Sequence, residues 1–282
     1  MLSGVRNYGR KTSLTFIGNF HNLNAMKESE IRPFIRSKIF GKKIFCFDLI
    51  DSTNLKAKQF LQEGVDEGTV VIADEQTAGR GRLNRSWISE GKKNLTFSII
   101  VRSAISPEKI GVISIYAGLS VMETLKHFSE LQPDCKWPND VYLKGKKVCG
   151  ILSEAVFENN RLTGIVIGIG LNVNQINFPD EIKDKATSLS VALGKDQNRF
   201  EIFGRILNRL ENNYESIKSG GLKYLLEEFE NNSSMFNKEV KINQNGKILH
   251  GIARRLDDDG GLIIKTTNSE IKVIAGDVTV CY

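Results

Sequence analysis

Apolar and polar positions change period several times along this chain, and each change marks an element. Between Glu28 and Phe40, Ile31, Phe34, Ile35 and Ile39 fall on one side of a short amphipathic helix that Gly41 ends. Lys43-Ile44-Phe45-Cys46-Phe47 reads as a strand, and Asp51-Ser52-Thr53-Asn54 supplies N-cap side chains for a helix to about Gln62. Gly68 to Ala73 is a buried strand that empties into a long Gly/Arg loop from Gln76 to Asn94. Leu95 to Val101 is the next strand, and Pro107 opens a long apolar helix through Ile113, Ala117, Val121 and Leu125. Three strands follow, around Val141 to Leu143, from Val148 to Val156 and from Leu162 to Val173. Helices at about Phe200 to Ile217 and Leu222 to Phe229 close this part of the chain.

After the polar stretch Asn231 to Ser234 the period shortens to two. Glu239 to Ile242, Ile248 to Arg254, Leu262 to Thr266, Ile271 to Ile274 and Val278 to Cys281 read as short strands separated by Asn-Gly and Asp-Gly-Gly turns. That is the pattern of a small β-barrel of about 50 residues. The whole therefore predicts an α/β (α+β) layer followed by a small all-β unit. No internal repeat or low-complexity tract interrupts it.

Composition changes this picture little. The chain has 282 residues, 40% hydrophobic and 26% charged, as in an ordinary globular protein. No apolar run approaches the roughly 18 residues needed to cross a bilayer. The net charge of +6 favours anionic ligands without naming them. Cys46, Cys135, Cys149 and Cys281 lie far apart and read as small core residues of a reduced, cytoplasmic protein. His21, His127 and His250 are isolated, so neither a zinc site nor a Ser–His–Asp triad is visible. G-x-S-x-G and G-x-x-x-x-G-K-[ST] are absent as well, which leaves lysine, arginine and carboxylates to carry any chemistry. Up to Lys27 the chain has basic residues and no acid, a faint resemblance to a transit peptide. A start at Met26, where the periodic sequence begins, is the preferred reading.

The most informative segment is Gln76-Thr77-Ala78-Gly79-Arg80-Gly81-Arg82-Leu83-Asn84-Arg85-Ser86-Trp87. Gly79-x-Gly81 lacks the third glycine of a dinucleotide fingerprint, and no crossover helix follows it. What remains is three arginines in six residues on a glycine-containing backbone, which suits a loop closing over a polyanion. Lys136-Trp137-Pro138-Asn139-Asp140 is a turn before a strand, with Trp137 and Pro138 equally suited to a structural role. In Lys144-Gly145-Lys146-Lys147-Val148-Cys149-Gly150, Lys147 begins the apolar strand and points inward, where a lysine needs an anion. Gly168-Ile169-Gly170-Leu171-Asn172 is a strand whose glycines admit a ligand or another backbone closely.

In order, D-S-T-N, Q-T-A-G-R-G-R-x-x-R-x-W, K-W-P-N-D, G-K-K-V-C-G-I-L and G-I-G-L-N-V-N closely resemble the biotin–protein ligases, strongly from about Ile44 to Asn174. The resemblance implies a mixed β-sheet flanked by helices, class II synthetase-like, with a C-terminal SH3-like barrel. It divides the chain into an N-terminal extension (1–41), a catalytic domain (42–234) and the barrel (235–282). It implies that biotin is adenylated with ATP and then transferred to a lysine of a biotin carboxyl carrier protein. Ser52, Thr53, Asn54, Gln76 and Gly150 are then expected around biotin, with Arg80, Gly81, Arg82 and Lys147 at its carboxylate and the phosphate. Arg82, Arg85, Trp87, Asn139, Asp140 and Asn172 are expected on the nucleotide, and Lys147, Arg80 and Arg82 are the catalytic set. Mg²⁺ is expected on the ATP phosphates, with no protein ligand assigned. Two positions depart from the pattern: Asn84 stands where many members have glycine, and Ala186 where some have an adenine-facing tryptophan.

The nearest alternative is a lipoate–protein ligase of the same fold, which the arginine and K-W-P-N-D motifs disfavour. A bifunctional ligase–repressor needs a winged helix-turn-helix of roughly 60 residues, and only about 40 precede the first strand here. No nucleic acid or membrane partner is expected, and a homodimer is left open.

Overall fold

In the computed structural model, which describes residues 26–102, 110–128, 130–244 and 246–281, the strands assemble as two sheets. The larger contains β1 (Ile44–Ile50), β2 (Val70–Gln76), β3 (Leu95–Val101), β4 (Pro133–Lys136), β5 (Asp140–Leu143), β6 (Lys146–Glu158) and β7 (Arg161–Leu171). Its order is β1-β2-β3-β7-β6-β5-β4. β1 and β2 run parallel and every other pair is antiparallel, so the sheet is mixed. The helices are α1 (Glu28–Ile31), α2 (Thr53–Gln62), α3 (Ile110–Leu125), α4 (Leu189–Leu193), α5 (Arg199–Lys218) and α6 (Leu222–Asn231). The smaller sheet has the order β11 (Glu270–Val273), β10 (Leu262–Lys265), β9 (Lys247–Leu256), β8 (Glu239–Gln244), β12 (Asp277–Val280).

Period-two alternation decides how the large sheet is covered. Leu95, Phe97, Ile99 and Val101 of β3 and Ile165, Ile167, Ile169 and Leu171 of β7 point one way. They enter a core completed by Ile113, Ala117 and Val121 of α3 and Phe203, Ile206 and Leu210 of α5. Phe97 meets Phe203 edge-on with centroids 4.9 Å apart. On the opposite face Val71, Ile100 and Val166 pack against Ala57 and Leu61 of α2. Further along the same strands that face changes character, because Thr96 pairs with Gly170 and Ser98 with Gly168. Apolar packing stops there and a polar, glycine-floored surface begins.

The two sheets are joined by side chains. Trp137, buried in the β4–β5 turn, donates its indole N–H to the Gly260 carbonyl at 2.8 Å, and Glu230 of α6 accepts from the Leu256 amide. Trp137 is therefore a structural residue.

Several expectations are corrected. The helix expected from Glu28 to Phe40 is only α1 and a 3-10 turn at Arg32–Phe34. Pro33 has no N–H to continue the α-helical ladder, and α5 captures the amides beyond it. Glu211 accepts from Lys38, Ile39 and Phe40, and Asn208 from Arg36 and Ser37. β4 and α4 were not anticipated. Cys135 and Cys149 are buried as expected, but Cys281 is exposed. The start expected at Pro107 and the segment before Met26 lie outside the described residues. Among the described residues no helix is long and apolar enough to cross a membrane.

Candidate active site

The polar end of the glycine-floored face is built by the β1–α2 turn. Ser52 has extended backbone and caps α2 without a side-chain bond, leaving its hydroxyl uncommitted to the helix. Thr53 donates its amide to Gln76 Oε1 at 2.7 Å, tying the helix start to the end of β2. Asn54, 4% exposed, lies directly over Gly168: a Cβ there would sit 2.1 Å from Asn54 Oδ1. Glycine at 168 is thus a requirement of packing.

The Gly/Arg segment is not an open loop. Gly81 N–H bonds the Arg85 carbonyl at 2.7 Å and Trp87 N–H the Gly79 carbonyl at 2.9 Å, with Arg80 bridging Ser86. It is a narrow hairpin with a tight turn at Arg82–Asn84, where Leu83 and Asn84 take φ of 53° and 58°. Asparagine adopts this left-handed conformation more readily than other non-glycine residues, so Asn84 serves where the family pattern has glycine. The hairpin lays the Trp87 indole on the sheet floor, where a Cβ at Gly170 would lie 2.3 Å from its ring. The Trp87 Nε1 is buried without a hydrogen-bond partner among the described residues.

Lys147 reaches this face through a break in register. β5 pairs Val141 with Cys149 but Tyr142 with Lys147, so Val148 is an extra residue in β6. Strict alternation would place Lys147 with Cys149 and Ile151, toward the apolar core. The bulge turns it to the side of Gly150, whose hypothetical Cβ would lie 3.0 Å from Lys147 Nζ. Backbone bonds from Lys147 N to Lys185 O and from Thr187 N to Lys147 O hold the bulge, with Ala186 bridging alongside. Lys147 Nζ pairs with Asp140 at 2.7 Å and lies 5.7 Å from the centroid of the Trp87 ring. Lys146 turns away and lines a separate groove with Lys183 and Ala186.

The result is an open cleft of about 760 Å³ with two chemically distinct ends. Ser52, Thr53, Asn54 and Gln76 offer uncharged donors and acceptors at one. Arg82, Arg85 and Lys147, with Asn139 and Asp140, surround the other, while Arg80 reaches back to Glu154 at 3.9 Å. Arg82 donates to Asn139 Oδ1 at 2.9 Å, and Asn139 in turn donates to the Ile151 carbonyl. Burial pulls the Arg82 guanidinium below its usual value, against the charges of Asp140 and Asp277. Burial also lowers the Lys136 ammonium behind Asp140. Arg85 pairs with Asp277 of the small sheet, so both sheets reach the cleft. Among the described residues no group of three or more His, Cys, Asp or Glu could enclose a metal ion.

Of the residues expected from sequence, all but Asn172 line this cleft. Asn172 is buried, donating to the Thr187 carbonyl, and its Oδ1 has no partner among the described residues. The sequence reading missed Thr96, Ser98, Glu154 and Asp277. For Thr96 and Ser98 the signal was present, since they are the polar positions alternating with Leu95, Phe97 and Ile99.

A family model described as the biotin/lipoate A/B protein ligase family matches residues 46–172, and one described as the biotin protein ligase C-terminal domain matches 235–280. The bifunctional ligase/repressor BirA of Bacillus subtilis is 34% identical over 255 residues, covering 90% of this chain and 78% of that protein. The chain belongs to the biotin protein ligase family. The biotin–[acetyl-CoA-carboxylase] ligase of Mycobacterium tuberculosis is also 34% identical, over 80% of this chain and 85% of its own. The biotin protein ligase of Aquifex aeolicus, solved in complex with biotin and ATP, superposes with a TM-score of 0.74 at 33% identity. That match covers 85% of this chain and 99% of the other. Family membership accounts for the mixed sheet, the flanking helices and the small C-terminal SH3-like sheet together.

Proposed function

We propose that this ligase adenylates biotin with ATP to biotinyl-5′-AMP and transfers the biotin to a specific lysine of a biotin carboxyl carrier protein in the cytoplasm. The observation that carries the reading is the two-ended cleft, in which Arg82, Arg85 and Lys147 gather at one end, uncharged hydrogen-bonding groups occupy the other, and Arg80 also lines the cleft. A ureido ring needs donors and acceptors together, which Ser52, Thr53 and Gln76 provide, with Asn54 beside them. Gly150 gives the ligand room on the floor. Trp87 packs on the adenine, and the open Oδ1 of Asn172 accepts from its amino group. Residues 42–234 act as the catalytic domain, and 235–282 close it from the side of Asp277.

The chemistry follows from charge. A biotin carboxylate oxygen attacks the α-phosphorus, the bond from that phosphorus to the bridging oxygen breaks, and pyrophosphate leaves. Arg80, Arg82 and Lys147, with Gly81 lining the cleft beside them, reduce the repulsion between the two anions and stabilise charge as it develops. Arg85 and Asn139 position the remaining phosphates. Mg²⁺ carried on these phosphates would offset their charge, with Asp140 and Asp277 the carboxylates at hand, in keeping with a metal bound by few protein ligands. The hairpin covers the mixed anhydride until the carrier lysine attacks its acyl carbon and AMP leaves. The test incubates protein, MgATP and a carrier domain with biotin or with lipoate and weighs the carrier. A biotin-sized mass gain is expected with biotin alone, and a gain from lipoate alone overturns the reading.

A further inference from the structure

Behind the ring end of the cleft runs a chain of hydrogen bonds whose members do not all touch the cleft. Glu154, on β6, accepts from Lys58 at 2.5 Å and from Asn54 Nδ2 at 2.8 Å. Asn54 Nδ2 also donates to the Leu152 carbonyl at 3.2 Å. Both partners of this amide nitrogen are pure acceptors, so Asn54 must turn its oxygen the other way. It faces the fully buried Ser98, whose Oγ lies 2.6 Å from Asn54 Oδ1 and 2.8 Å from Thr53 Oγ1.

A serine hydroxyl has one proton, and an amide oxygen can only accept. The Ser98 proton is therefore committed to Asn54. Thr53 Oγ1 has one proton and two acceptors behind the cleft, Ser98 Oγ at 2.8 Å and Gln76 Oε1 at 3.1 Å, and donation to the nearer makes the short contact between the two hydroxyls a hydrogen bond. That leaves the lone pairs of Thr53 Oγ1 for a ligand. Gln76 is set in the same way: its Oε1 is taken by the Thr53 amide, so its NH₂ becomes the group on offer. Neither Ser98 nor Glu154 lines the cleft, whereas Thr53 and Gln76 both do.

We propose that Ser98 is a positioning residue which, anchored through Asn54 to Glu154, fixes Thr53 as an acceptor and thereby sets the hydrogen-bond polarity of the biotin-ring site. The inference rests on the reading of this end of the cleft as the ring site. Its logic is that of preorganisation: a hydroxyl free to rotate serves either polarity, and one already committed favours the ligand whose donor faces it.

A double-mutant cycle in the full-length ligase tests it, with KM for biotin, KM for ATP and kcat measured by pyrophosphate release. Ser98→Ala is expected to raise KM for biotin about tenfold, the scale of one hydrogen bond to a buried group. KM for ATP and kcat should move less than about threefold. Thr53→Val should itself raise KM for biotin, and in that background Ser98→Ala should add less than about threefold, because the residue it acts through is gone. Should Ser98→Ala not fold, Ser98→Cys, with a weaker donor of similar size, is read in the same cycle. Full additivity of the two substitutions, or equal changes in KM for biotin and ATP, overturns the relay while leaving the ring site standing. If Thr53→Val leaves KM for biotin unchanged, the ring site and the relay fall together.

Discussion

Lys147 and its neighbour Lys146 offer the sharpest test of how the cleft works, because they share a charge and a strand end but point to different grooves. Lys147→Ala should leave the fold intact, since the side chain is about one-third exposed and meets Asp140 and the Trp87 ring in the cleft. Two unit charges about 4 Å apart interact by about 1 kcal/mol in water and about 4 kcal/mol at an effective dielectric of 20. A partly exposed ammonium already 2.7 Å from Asp140 falls between these limits. Its removal also leaves the Asp140 carboxylate facing the phosphates, which adds repulsion. The sum is about 3 kcal/mol, or 10²–10³-fold in the rate of biotinyl-AMP formation. Among the described residues Lys146 Nζ reaches the Lys183 carbonyl, at 3.4 Å, so Lys146→Ala should cost less than about threefold, as exposed charges do. The assay is pyrophosphate release at saturating biotin and ATP, with the melting temperature of each variant as control. Equal losses from the two lysines would refute the assignment of the bulge at Val148.

Arg82→Gly removes the guanidinium tied to Asn139. It should still form biotinyl-AMP but lose it to solution roughly 10–150-fold faster; unlabelled bystander albumin beside a normally labelled carrier would show that Arg82 does not retain the intermediate. Gly170→Ala places a Cβ 2.3 Å from the Trp87 ring. It should displace the indole, lower kcat/KM at least about tenfold and destabilise by about 1–3 kcal/mol, and unchanged tryptophan fluorescence with full activity speaks against this packing. Burial alone would raise the Glu154 carboxyl, but hydrogen bonds from Lys58 and Asn54 outweigh it and hold the group below its usual range. Its stabilising contribution is complete above the unfolded value of about 4.3 and is lost as pH falls through the lower folded one. The stability difference between wild type and Glu154→Gln should accordingly be flat from neutral pH down to about 5 and shrink below about 4.3. A difference that grows on acidification contradicts the sign.

Much of the large sheet was legible because its strands obey one rule. Each of β3 and β7 carries an unbroken apolar set on alternate positions, and that set has only one place to go. The elements that escaped were those whose hydrogen bonds come from elsewhere. Between Arg36 and Phe40 the spacing of Phe34, Ile35 and Ile39 suits a helix, yet the amides there are taken by Asn208 and Glu211, some 170 residues away in sequence. Local periodicity cannot register a competitor at that distance. β4 is four residues long and contains a proline, so it offers no pattern to find.

The site divides along the same line. The arginines were legible as a cluster because the role proposed for them depends on type and number, and a hairpin of two glycines and three arginines delivers them in sequence order. Lys147 was legible only as a residue, since its direction depends on register. Counting back by twos from Gly150 leads through Val148 to Lys146, the wrong lysine. One inserted residue, pinned by the Lys185 carbonyl and the Thr187 amide, exchanges the two. A strand that must be apolar on its core face as far as Cys149, and must also present an ammonium beside Gly150 one turn of the pleat later, cannot satisfy both demands with regular alternation. The bulge resolves that conflict. Deleting Val148 should therefore remove the bulge and leave Lys147 opposite Tyr142 on the Gly150 side, with Lys146 still turned away.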